Sequence, residues 1–529
     1  MSKQDELLKA LHNKKISRRD FLMGMGALGV SAAVMPSLLA TPAHAGEPQK
    51  GGKITVGVEA MQAKDSLDPT QYFSTANILM GFSVYDGLVN RGADLKPVPW
   101  LAESWESGTD ASEWIFELRK DVKWHDGKPF TADDVIYSCG RHTREGTESP
   151  AKGYMSQIQE MTKDGDHVVK FKLKAPNADF PIILSDTRVQ ISQKGYEDFA
   201  NTTVGTGPFK VKEWKAGSRY VFERNEDYWG SDGPWVDEIE FLGIGDITAR
   251  VNALLSGDIN VMLELDPKAV KLIERNKKVD LLRSPSGAYV NLAMMLDREP
   301  TNNADFRQAL KYGIDREQIV KNVFKGYGSV GNDHPISPAD PYFCSDIEQR
   351  TYDPDKARFH IKKAGMEGKS IDLYASDVPG AGALSACQVV QQSAKKGGIN
   401  LNLINPPADT YWSAVWIKKP LVVSGWDMRP VPDLMFSIAF KGDSDWNETK
   451  FKNDQFDKLL MEARSTVDFD KRKEMYCEMQ RLIQDEGGHS TLAFRDILDA
   501  KAKNVHGISE HPSGPLGFYQ FARTVWIES

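Results

Sequence analysis

Short strand patterns and capped helix patterns alternate along the chain without a repeating unit. Val169, Phe171 and Leu173 alternate with lysines, as in a strand that has one buried and one solvated face. Thr131 precedes a helical pattern and Asp134 follows three residues later, which is the spacing of a capping box. The chain is therefore predicted to be a mixed α/β protein.

Other local patterns support this class. Residues 53–58 and 114–119 each read as a strand, and the second is followed by the turn signal at Asp126-Gly127. We interpret His125-Asp126-Gly127 as a turn and not as a catalytic or metal-binding fragment. Asp315 is expected to cap a helix, and residues 456–483 are predicted to be mostly helical.

Composition excludes several classes of protein. The 529 residues are 40% hydrophobic and 26% charged, which is typical of a globular chain with a large core. The net charge is −8, so nucleic acid is not an expected partner. The cysteines are scattered without a C-x-x-C motif, so their disulfide state is left open: Cys139, Cys344, Cys387 and Cys477.

Residues 1–45 are typical of a cleaved twin-arginine (Tat) signal peptide. A basic region contains Arg18-Arg19, an uncharged stretch runs to residue 40, and Ala43-His44-Ala45 is a small-x-small cleavage site. The alternative is a membrane anchor, because residues 21–40 carry no charge and could just span a bilayer. The cleavage site favours export, so a free periplasmic protein beginning near Gly46 is predicted.

Four stretches, in the same order along the chain, resemble extracytoplasmic solute-binding protein family 5, the peptide, oligopeptide and nickel-binding receptors of ABC importers. The most specific is residues 102–138, AESWESGTDASEWIFELRKDVKWHDGKPFTADDVIYS. The others are residues 205–241, residues 306–328, and the segment from Gly425-Trp426 to the helical pattern at 472–483. Together they are distributed along most of the chain after the signal peptide.

The resemblance implies a two-lobed periplasmic binding protein, type II-like and of cluster C, with an extra inserted domain and an interdomain ligand cleft. It implies a discontinuous first domain at 46–85, 201–285 and 501–529. An inserted second domain would cover 86–200, and a third domain at 286–500 would form the opposite lobe. Hinge closure would then bury the solute and present the surface that faces the transporter.

The resemblance also directs attention to the residues after Gly425-Trp426. Peptide-binding members of the family carry an aspartate there that receives the peptide's α-ammonium group, and the matching position here holds Arg429. A guanidinium donates hydrogen bonds and accepts none, so an anionic or amide-oxygen-rich group is favoured at that point. Asp427 could instead take the ammonium role or pair with Arg429 in a salt bridge, and the sequence leaves these alternatives open.

Aromatic residues are expected to wall the cleft. Trp412 and Trp426 match pocket positions of the family, while Tyr154 would approach from the second domain and Phe73 from the first. Gly425 would act through its backbone, since a missing side chain lets an extended ligand approach. The predicted ligand-binding residues are Phe73, Tyr154, Trp412, Gly425, Trp426, Asp427 and Arg429.

The implied function is capture of a peptide-like or small organic solute, which could be anionic, and its delivery to an inner-membrane ABC permease. We expect a monomer that interacts with the Tat translocase during export. We expect no catalytic activity, no cofactor and no metal ligands. Two alternatives are a receptor for a nickel-type metal chelate and a secreted hydrolase. No G-x-S-x-G or H-E-x-x-H motif occurs, and the ten histidines lack metal-ligand spacing.

Overall fold

The computed structural model describes residues 47–59 and 61–528. The predicted signal peptide and the alternative membrane span at 21–40 lie outside these residues. Within the described ranges, no helix is both long enough and apolar enough to cross a membrane.

Strands and helices alternate along the whole described chain, which confirms the predicted mixed α/β class. The strands are β1 (Lys53–Val58), β2 (Val89–Arg91), β3 (Pro97–Pro99), β4 (Ala102–Ser107), β5 (Glu113–Leu118), β6 (Ile158–Lys163), β7 (Val168–Leu173), β8 (Phe209–Lys215), β9 (Arg219–Arg224), β10 (Glu238–Gly243), β11 (Val261–Met262), β12 (Val279–Ser284), β13 (Tyr289–Met294), β14 (Gly328–Val330), β15 (Ser370–Tyr374), β16 (Asn400–Ile404), β17 (Leu421–Trp426), β18 (His489–Arg495), β19 (Ile497–Ala502), β20 (Val505–His506) and β21 (Trp526–Ile527).

The helices are α1 (Thr75–Val84), α2 (Ala132–Arg141), α3 (Lys152–Met155), α4 (Phe180–Ile183), α5 (Ile247–Ser256), α6 (Val270–Arg275), α7 (Ala304–Gly313), α8 (Arg316–Asn322), α9 (Pro354–Lys363), α10 (Ala383–Lys396), α11 (Pro432–Ala439), α12 (Asp454–Ser465), α13 (Phe469–Glu486) and α14 (Pro515–Phe518). Short 3₁₀ turns lie at Pro69–Gln71, Ala408–Thr410 and Phe521–Arg523, and a π-helical turn lies at Tyr411–Val415.

Three sheets organise the chain. The first has the strand order β12-β19-β11-β1-β10-β9-β8, and its strands come from three separate parts of the sequence. The second is a four-stranded sheet in the order β4-β5-β7-β6. The third has the order β14-β18-β13-β17-β15-β16. Each of the three sheets is covered by its own cluster of buried apolar side chains.

The second sheet forms as the local patterns predict. Val169, Phe171 and Leu173 on β7 are buried, whereas the lysines between them are exposed. The backbone amide of Thr131 donates to the Asp134 carboxylate at 2.8 Å, which caps α2. The predicted strand and the predicted capped helix are therefore both confirmed.

The His125-Asp126-Gly127 segment is a turn, as predicted. Gly127 has a φ of +85°, and its amide donates to the Trp124 carbonyl at 2.8 Å. The His125 ring is buried against the second family-like stretch, with Nε2 3.0 Å from the Gly207 carbonyl oxygen. This turn thus joins the second sheet to the edge of the first.

The third sheet is flanked by helices on both faces. Asp315 caps α8 as expected, because its carboxylate accepts the Gln318 amide at 3.0 Å. The predicted helical stretch at 456–483 consists of two helices, α12 and α13, separated at residues 466–468. Asp468 accepts the Lys471 amide at 2.9 Å, so it begins a new helix there.

The described chain passes between the first and third sheets twice, at residues 285–288 and at Asp496. Two short neighbouring passages of this kind permit hinge bending between the bodies they join. The second sheet is connected in sequence to the first sheet alone. The predicted domain division remains a prediction, and its boundary between residues 500 and 501 falls inside β19.

One disulfide joins Cys344 to Cys477, whose Cα atoms lie 5.0 Å apart. It ties the segment before α9 to the middle of α13. Cys139 and Cys387 are buried free thiols, and burial raises the pKa of the Cys139 thiol to about 12. The sequence left this pairing open.

Candidate functional site

The end of the third sheet that is next to the hinge carries the family-like Gly-Trp pair. Tyr289, the first residue of β13, pairs with Trp426 at the end of β17 and with Phe494 near the end of β18. The antiparallel register therefore places the loop that begins at Asp427 beside Arg495. Because Asp496 passes directly into the first sheet, this end of the third sheet faces the first.

Glu264 lies at the facing end of the first sheet, just after the inner strand β11. This residue follows β11 with a φ of +57°, a left-handed conformation that is uncommon outside glycine. Its backbone amide donates to the Asp499 carboxylate at 3.1 Å, which holds the turn. The Glu264 side chain is exposed to solvent, so its carboxylate is available in the space between the two sheets.

Charged groups at the facing ends of the first and third sheets influence one another's pKa values. Burial raises the pKa of the Glu264 carboxyl, and the Glu59 and Asp427 carboxylates raise it by smaller amounts. The guanidiniums of Arg250 and Arg495 lower it. Burial lowers the pKa of Arg495, and the charges of Asp427 and Glu264 oppose that change. Tyr519 lies beside the same groups, because its raised pKa is due first to burial and then to Asp427 and Glu264. The Glu264 side chain is thus accessible to solvent but has protein groups on several sides, as is typical of a side chain in a cleft.

Charged side chains in this cleft lack partners. Among the described residues, Glu264, Asp427, Arg429 and Arg495 form no ion pair and no side-chain hydrogen bond. The Nε atoms of Arg429 and Arg495 are buried without an acceptor. Uncompensated charge and buried donors are costly, so a solute that supplied the complementary groups would be strongly favoured.

Arg429 does not pair with Asp427 in the described structure. Its guanidinium lies over the Trp426 ring, 5.6 Å from the ring centre. It also lines a small pocket with Ser337, whose buried hydroxyl has no hydrogen-bond partner among the described residues. The two residues thus present donors to the same small space.

Four tryptophans form a continuous aromatic wall beside Arg429. Trp416 lies at the centre, 5.5 Å from Trp412, 6.3 Å from Trp426 and 5.9 Å from Trp446, measured between ring centres. Trp412 and Trp446 are 46% and 53% exposed, so the wall runs from the buried Trp426 to the surface. Large half-exposed aromatic surfaces of this kind bind apolar groups of ligands.

A buried carboxylate fixes the central indole. Glu448 accepts the Trp416 Nε1 hydrogen at 2.7 Å, the Ser424 hydroxyl at 2.6 Å and an Asn291 amide hydrogen at 2.8 Å. The Trp426 Nε1 atom, by contrast, is buried without an acceptor. The wall is therefore rigid at Trp416 and keeps an unused donor at Trp426.

Gly425 has a packing reason to be glycine. A Cβ atom at this position would lie 2.4 Å from the Pro379 carbonyl oxygen and 3.1 Å from that of Tyr289. The space that the sequence analysis assigned to an extended ligand is thus bordered by the protein's own main chain. A ligand contact at Gly425 remains a prediction.

The two predicted residues outside the third sheet differ in their surroundings. Tyr154 lies on α3 beside Asp186 and Arg188, and burial raises the pKa of its hydroxyl well above the usual range. Arg188 also acts on the cleft residue Tyr519, so Tyr154 borders the same region. Phe73 is 58% exposed and contacts Lys64, and among the described contacts none joins it to the other predicted residues.

Three residues of the charged cleft were not predicted from the sequence: Glu264, Arg495 and Tyr519. Trp416 and Trp446 of the aromatic wall were not predicted either. Glu264 and Arg495 are 231 positions apart, and each is an ordinary charged residue in its local pattern. The W-x₃-W spacing of Trp412 and Trp416 was the one local signal available. The pairing of β13 with both β17 and β18 is what brings Asp427 and Arg495 together.

Comparison with known proteins decides the family. Residues 96–448 match the family described as bacterial extracellular solute-binding proteins, family 5 Middle. This chain belongs to solute-binding protein family 5. The family consists of receptors that bind solutes and not of enzymes, and the match confirms the resemblance seen in the sequence.

Relatives of this family 5 protein align over most of its length. The dipeptide-binding protein of Escherichia coli (strain K12) is 29% identical, over 80% of this chain and 85% of its own. Among solved structures, AgaA in complex with agropinic acid, from A.tumefacien R10, is 26% identical with a TM-score of 0.73, covering 90% of this chain and 99% of that one.

AppA from Bacillus subtilis, in complex with a nonapeptide, is 25% identical with a TM-score of 0.71, covering 91% of this chain and all of that one. The predicted two-lobed binding-protein fold is therefore confirmed. We name the first and second sheets the first lobe, and the third sheet with its helices the second lobe.

Proposed function

We propose that this family 5 protein is the periplasmic receptor of an ABC importer and captures a peptide-like solute that carries both a protonated amine and an acidic group. One observation carries the proposal: carboxylates and guanidiniums face each other across the two lobes and have no partner among the described residues. Glu264 lies in the first lobe. Asp427, Arg429 and Arg495 lie in the second lobe.

The amine end of the solute would lie between Asp427 and Glu264. Each carboxylate perturbs the pKa of groups around the other, so both act on the same small volume. An ammonium group placed there would relieve the repulsion between them. Because the two carboxylates come from different lobes, the ammonium would also draw the lobes together.

The acidic end would lie against the guanidiniums. Arg495 packs against Gly380, where a Cβ atom would be 3.1 Å from its Nη1 atom, and it offers a planar fork of donors to the cleft. Arg429, with its buried and unpartnered Nε, would take a carboxylate or an amide oxygen. Arg429 and Asp427 thus serve opposite ends of the solute.

The remaining predicted residues would enclose the body of the solute. Trp412 and Trp426 belong to the aromatic wall, and Tyr154 borders the cleft from the second sheet. Phe73 would cover the cleft from the first lobe, and Gly425 would contribute main chain. An apolar or aromatic side chain on the solute suits this lining.

The predicted domains supply the moving parts of this proposal. A first domain at 46–85, 201–285 and 501–529 and an inserted domain at 86–200 would move against a third domain at 286–500. The support is that each stretch contributes to its own sheet and that the chain passes between the first and third sheets twice. Closure around the solute would create the surface that the permease recognises.

Export of the folded chain by the Tat translocase to the periplasm is part of the same proposal. The Cys344–Cys477 disulfide supports it, because disulfides persist in oxidising compartments. A monomer suffices, since both edges of the cleft come from one chain. The named relatives agree with the solute class: one is a dipeptide-binding protein, and AgaA and AppA were solved with agropinic acid and a nonapeptide.

Thermal unfolding of residues 46–529 tests the proposal, because a ligand that binds only the folded chain raises Tm by mass action. The panel contains alanyl-phenylalanine, trialanine, glutathione, N-acetylated and C-amidated forms of each peptide, and a neutral sugar. We expect peptides with both a free amine and a free acid to raise Tm, and blocked forms to have little effect.

Asp427→Asn and Arg429→Gln identify the site, with Glu317→Gln as the control because Glu317 is an exposed carboxylate on α8 of the same lobe. Asp427→Asn should lose most of the Tm shift, Arg429→Gln should show a smaller shift than the wild type, and the control should keep the full shift. No shift with any amine-bearing acid, or equal shifts with the sugar, would refute the proposed solute class.

The cleft supports the two alternatives less well than a peptide-like solute, although a nickel-binding protein is among the structural neighbours. Among residues 47–59 and 61–528, no group of three or more His, Cys, Asp and Glu side chains is arranged to hold a metal ion. The family is also one of solute receptors, which does not fit a secreted hydrolase. Nickel-histidine, added to the panel, would identify a metal-chelate receptor if it alone raised Tm.

A further inference from the structure

A second contact between the lobes is made by residues other than the four charged residues of the cleft. Asp179 precedes α4 in the first lobe, and Arg472 lies on α13 in the second, 293 residues further along the chain. An Arg472 Nη2 hydrogen is donated to the Asp179 carboxylate with a separation of 2.5 Å. Next to this pair, the Ala178 amide donates to the Arg464 carbonyl at 2.8 Å. We name these four residues the interlobe clasp.

The clasp is buried although it joins two separate bodies. The side chains of Asp179 and Arg472 are only 4% and 5% exposed. Phe180, next to Asp179, belongs to the apolar core of the second sheet, whereas Tyr476, one turn after Arg472, belongs to that of the third-sheet helices. The polypeptide does not connect these two regions directly, so a hinge motion that moves α4 away from α13 separates the pair.

The second lobe positions Arg472 in advance. Its guanidinium lies over the rings of Tyr342 and Tyr476, 5.2 and 5.5 Å from their centres, and donates to the Tyr476 hydroxyl at 3.1 Å. The Cys344–Cys477 disulfide holds the Tyr342 segment against α13. The Arg472 side chain therefore has a fixed orientation before the lobes close. Less side-chain conformational entropy is then lost when it pairs with Asp179.

We infer that the interlobe clasp is a set of positioning residues that determines solute affinity by stabilising the closed lobes, although it contacts no solute. A receptor that binds only when closed has an apparent affinity proportional to its closed fraction. Opening would expose a buried carboxylate and a buried guanidinium and separate them. This inference uses the closing motion of the proposed function but not the identity of the solute.

Asp179→Asn tests the clasp because it removes the charge and keeps the shape. Without solute, we expect a larger radius of gyration by X-ray scattering and faster hydrogen exchange at the Ala178 amide, with exchange in the three sheets unchanged. With the peptide that most raises wild-type Tm, we expect about tenfold weaker affinity, mostly through faster dissociation. Asp68→Asn is the matched control.

Asp68 and Arg141 form an equally buried pair, 8% and 3% exposed, that joins the first and second sheets on one side of the hinge. Asp68→Asn should leave the radius of gyration and the Ala178 exchange unchanged. If Asp179→Asn fails to fold, Arg472→Lys keeps a positive charge beside Asp179 and loses the planar fork. The double variant should bind no more weakly than the weaker of its two single variants, as for residues that act as one unit.

Wild-type values of scattering, Ala178 exchange and affinity in folded Asp179→Asn or Arg472→Lys would overturn the inference. If no peptide of the panel binds the wild type, the proposed function fails, while scattering and exchange still decide the clasp. If peptides bind and only the affinity is unchanged, the clasp does not set affinity, and the proposed solute class still stands.

Discussion

The protein has two charged contacts between its lobes, and they differ in one respect. In the interlobe clasp, Asp179 and Arg472 are buried and paired with each other. In the cleft, the Asp427 charge acts on Arg495, and neither of these residues nor Arg429 has a partner among the described residues. A charge that is already paired within the protein gains little from binding a solute. An unpaired charge in a cleft can bind an oppositely charged group of a solute.

This difference separates two tasks that one motion must perform. The cleft recognises the solute, and its charges are complemented only when a solute is present. The clasp stabilises closure, and its strength is independent of which solute is bound. Affinity and selectivity can therefore be altered separately, and a substitution in one contact should leave the other unchanged.

The largest effect is expected from removing the support behind the clasp. Replacing Cys344 and Cys477 with serine should lower the free energy of unfolding by about 4 kcal/mol, because the bridge closes a long loop. Urea unfolding measures the loss, with Cys139→Ala as a control that removes a buried thiol without breaking a bridge. The selectivity between free and acetylated peptides should stay unchanged. A stability equal to that of the control would contradict this role.

The next effect is expected in the cleft. Asp427→Asn should weaken binding of a free-amine peptide by about 100-fold, since it removes the charge that meets the ammonium group. Titration calorimetry measures the change, and Glu317→Gln should bind as the wild type does. Exchange at the Ala178 amide should be unaffected without solute. Unaltered affinity would show that the amine end lies elsewhere.

The acidity of the clasp region should make stability depend on pH. The pKa of Asp340 is raised to about 7 and that of Asp433 to about 6, chiefly by burial and in smaller part by the nearby Asp179 carboxylate. Between the ordinary carboxyl range and its raised pKa, each of these two carboxyls binds more protons in the folded chain than in the unfolded chain, so its contribution to stability falls as pH rises.

One such group contributes a slope of about 1.4 kcal/mol per pH unit in that window. Asp340→Asn should remove its share of the slope, measured as the free energy of unfolding from pH 5 to pH 8. Asp409→Asn, at an exposed position of the same lobe, should leave the slope as it is. A slope that does not change in Asp340→Asn would place the titrating group elsewhere.

The smallest effect is expected at Arg429. Arg429→Gln should weaken binding of glutathione, which carries two carboxylates, by about tenfold, and that of alanyl-phenylalanine by less. The reason is that Arg495 alone can serve a single acid group. Competition titrations with both peptides measure the ratio of affinities. An equal loss for the two peptides would place Arg429 at the shared end of the solute.

Local patterns in the sequence predicted local structure well. Thr131 and Asp134 indicated the start of α2, and the alternation around Phe171 indicated β7. The break between α12 and α13 was missed, although Asp468 is a favourable capping residue, because the apolar periodicity continues on both sides of it. Motif resemblance supplied the two-lobed fold, which periodicity alone could not.

The contacts between lobes could not be predicted in this way. Glu264 and Arg495 become neighbours of Asp427 through strand order and hinge geometry, and neither has a distinctive local sequence. Asp179 and Arg472 are 293 residues apart and belong to different apolar clusters. The sequence named Asp427 and Arg429 as alternatives, and the absence of an ion pair between them in the described structure favours separate roles.

The central claim is that unpaired charges in the cleft recognise a solute amine and a solute acid. Titration calorimetry of residues 46–529 with the panel peptide that raises Tm most, and with its N-acetylated form, tests it most directly. The account predicts that acetylation weakens wild-type binding by about 100-fold and has little further effect in Asp427→Asn. Equally tight binding of the free and acetylated peptides to the wild type would contradict it.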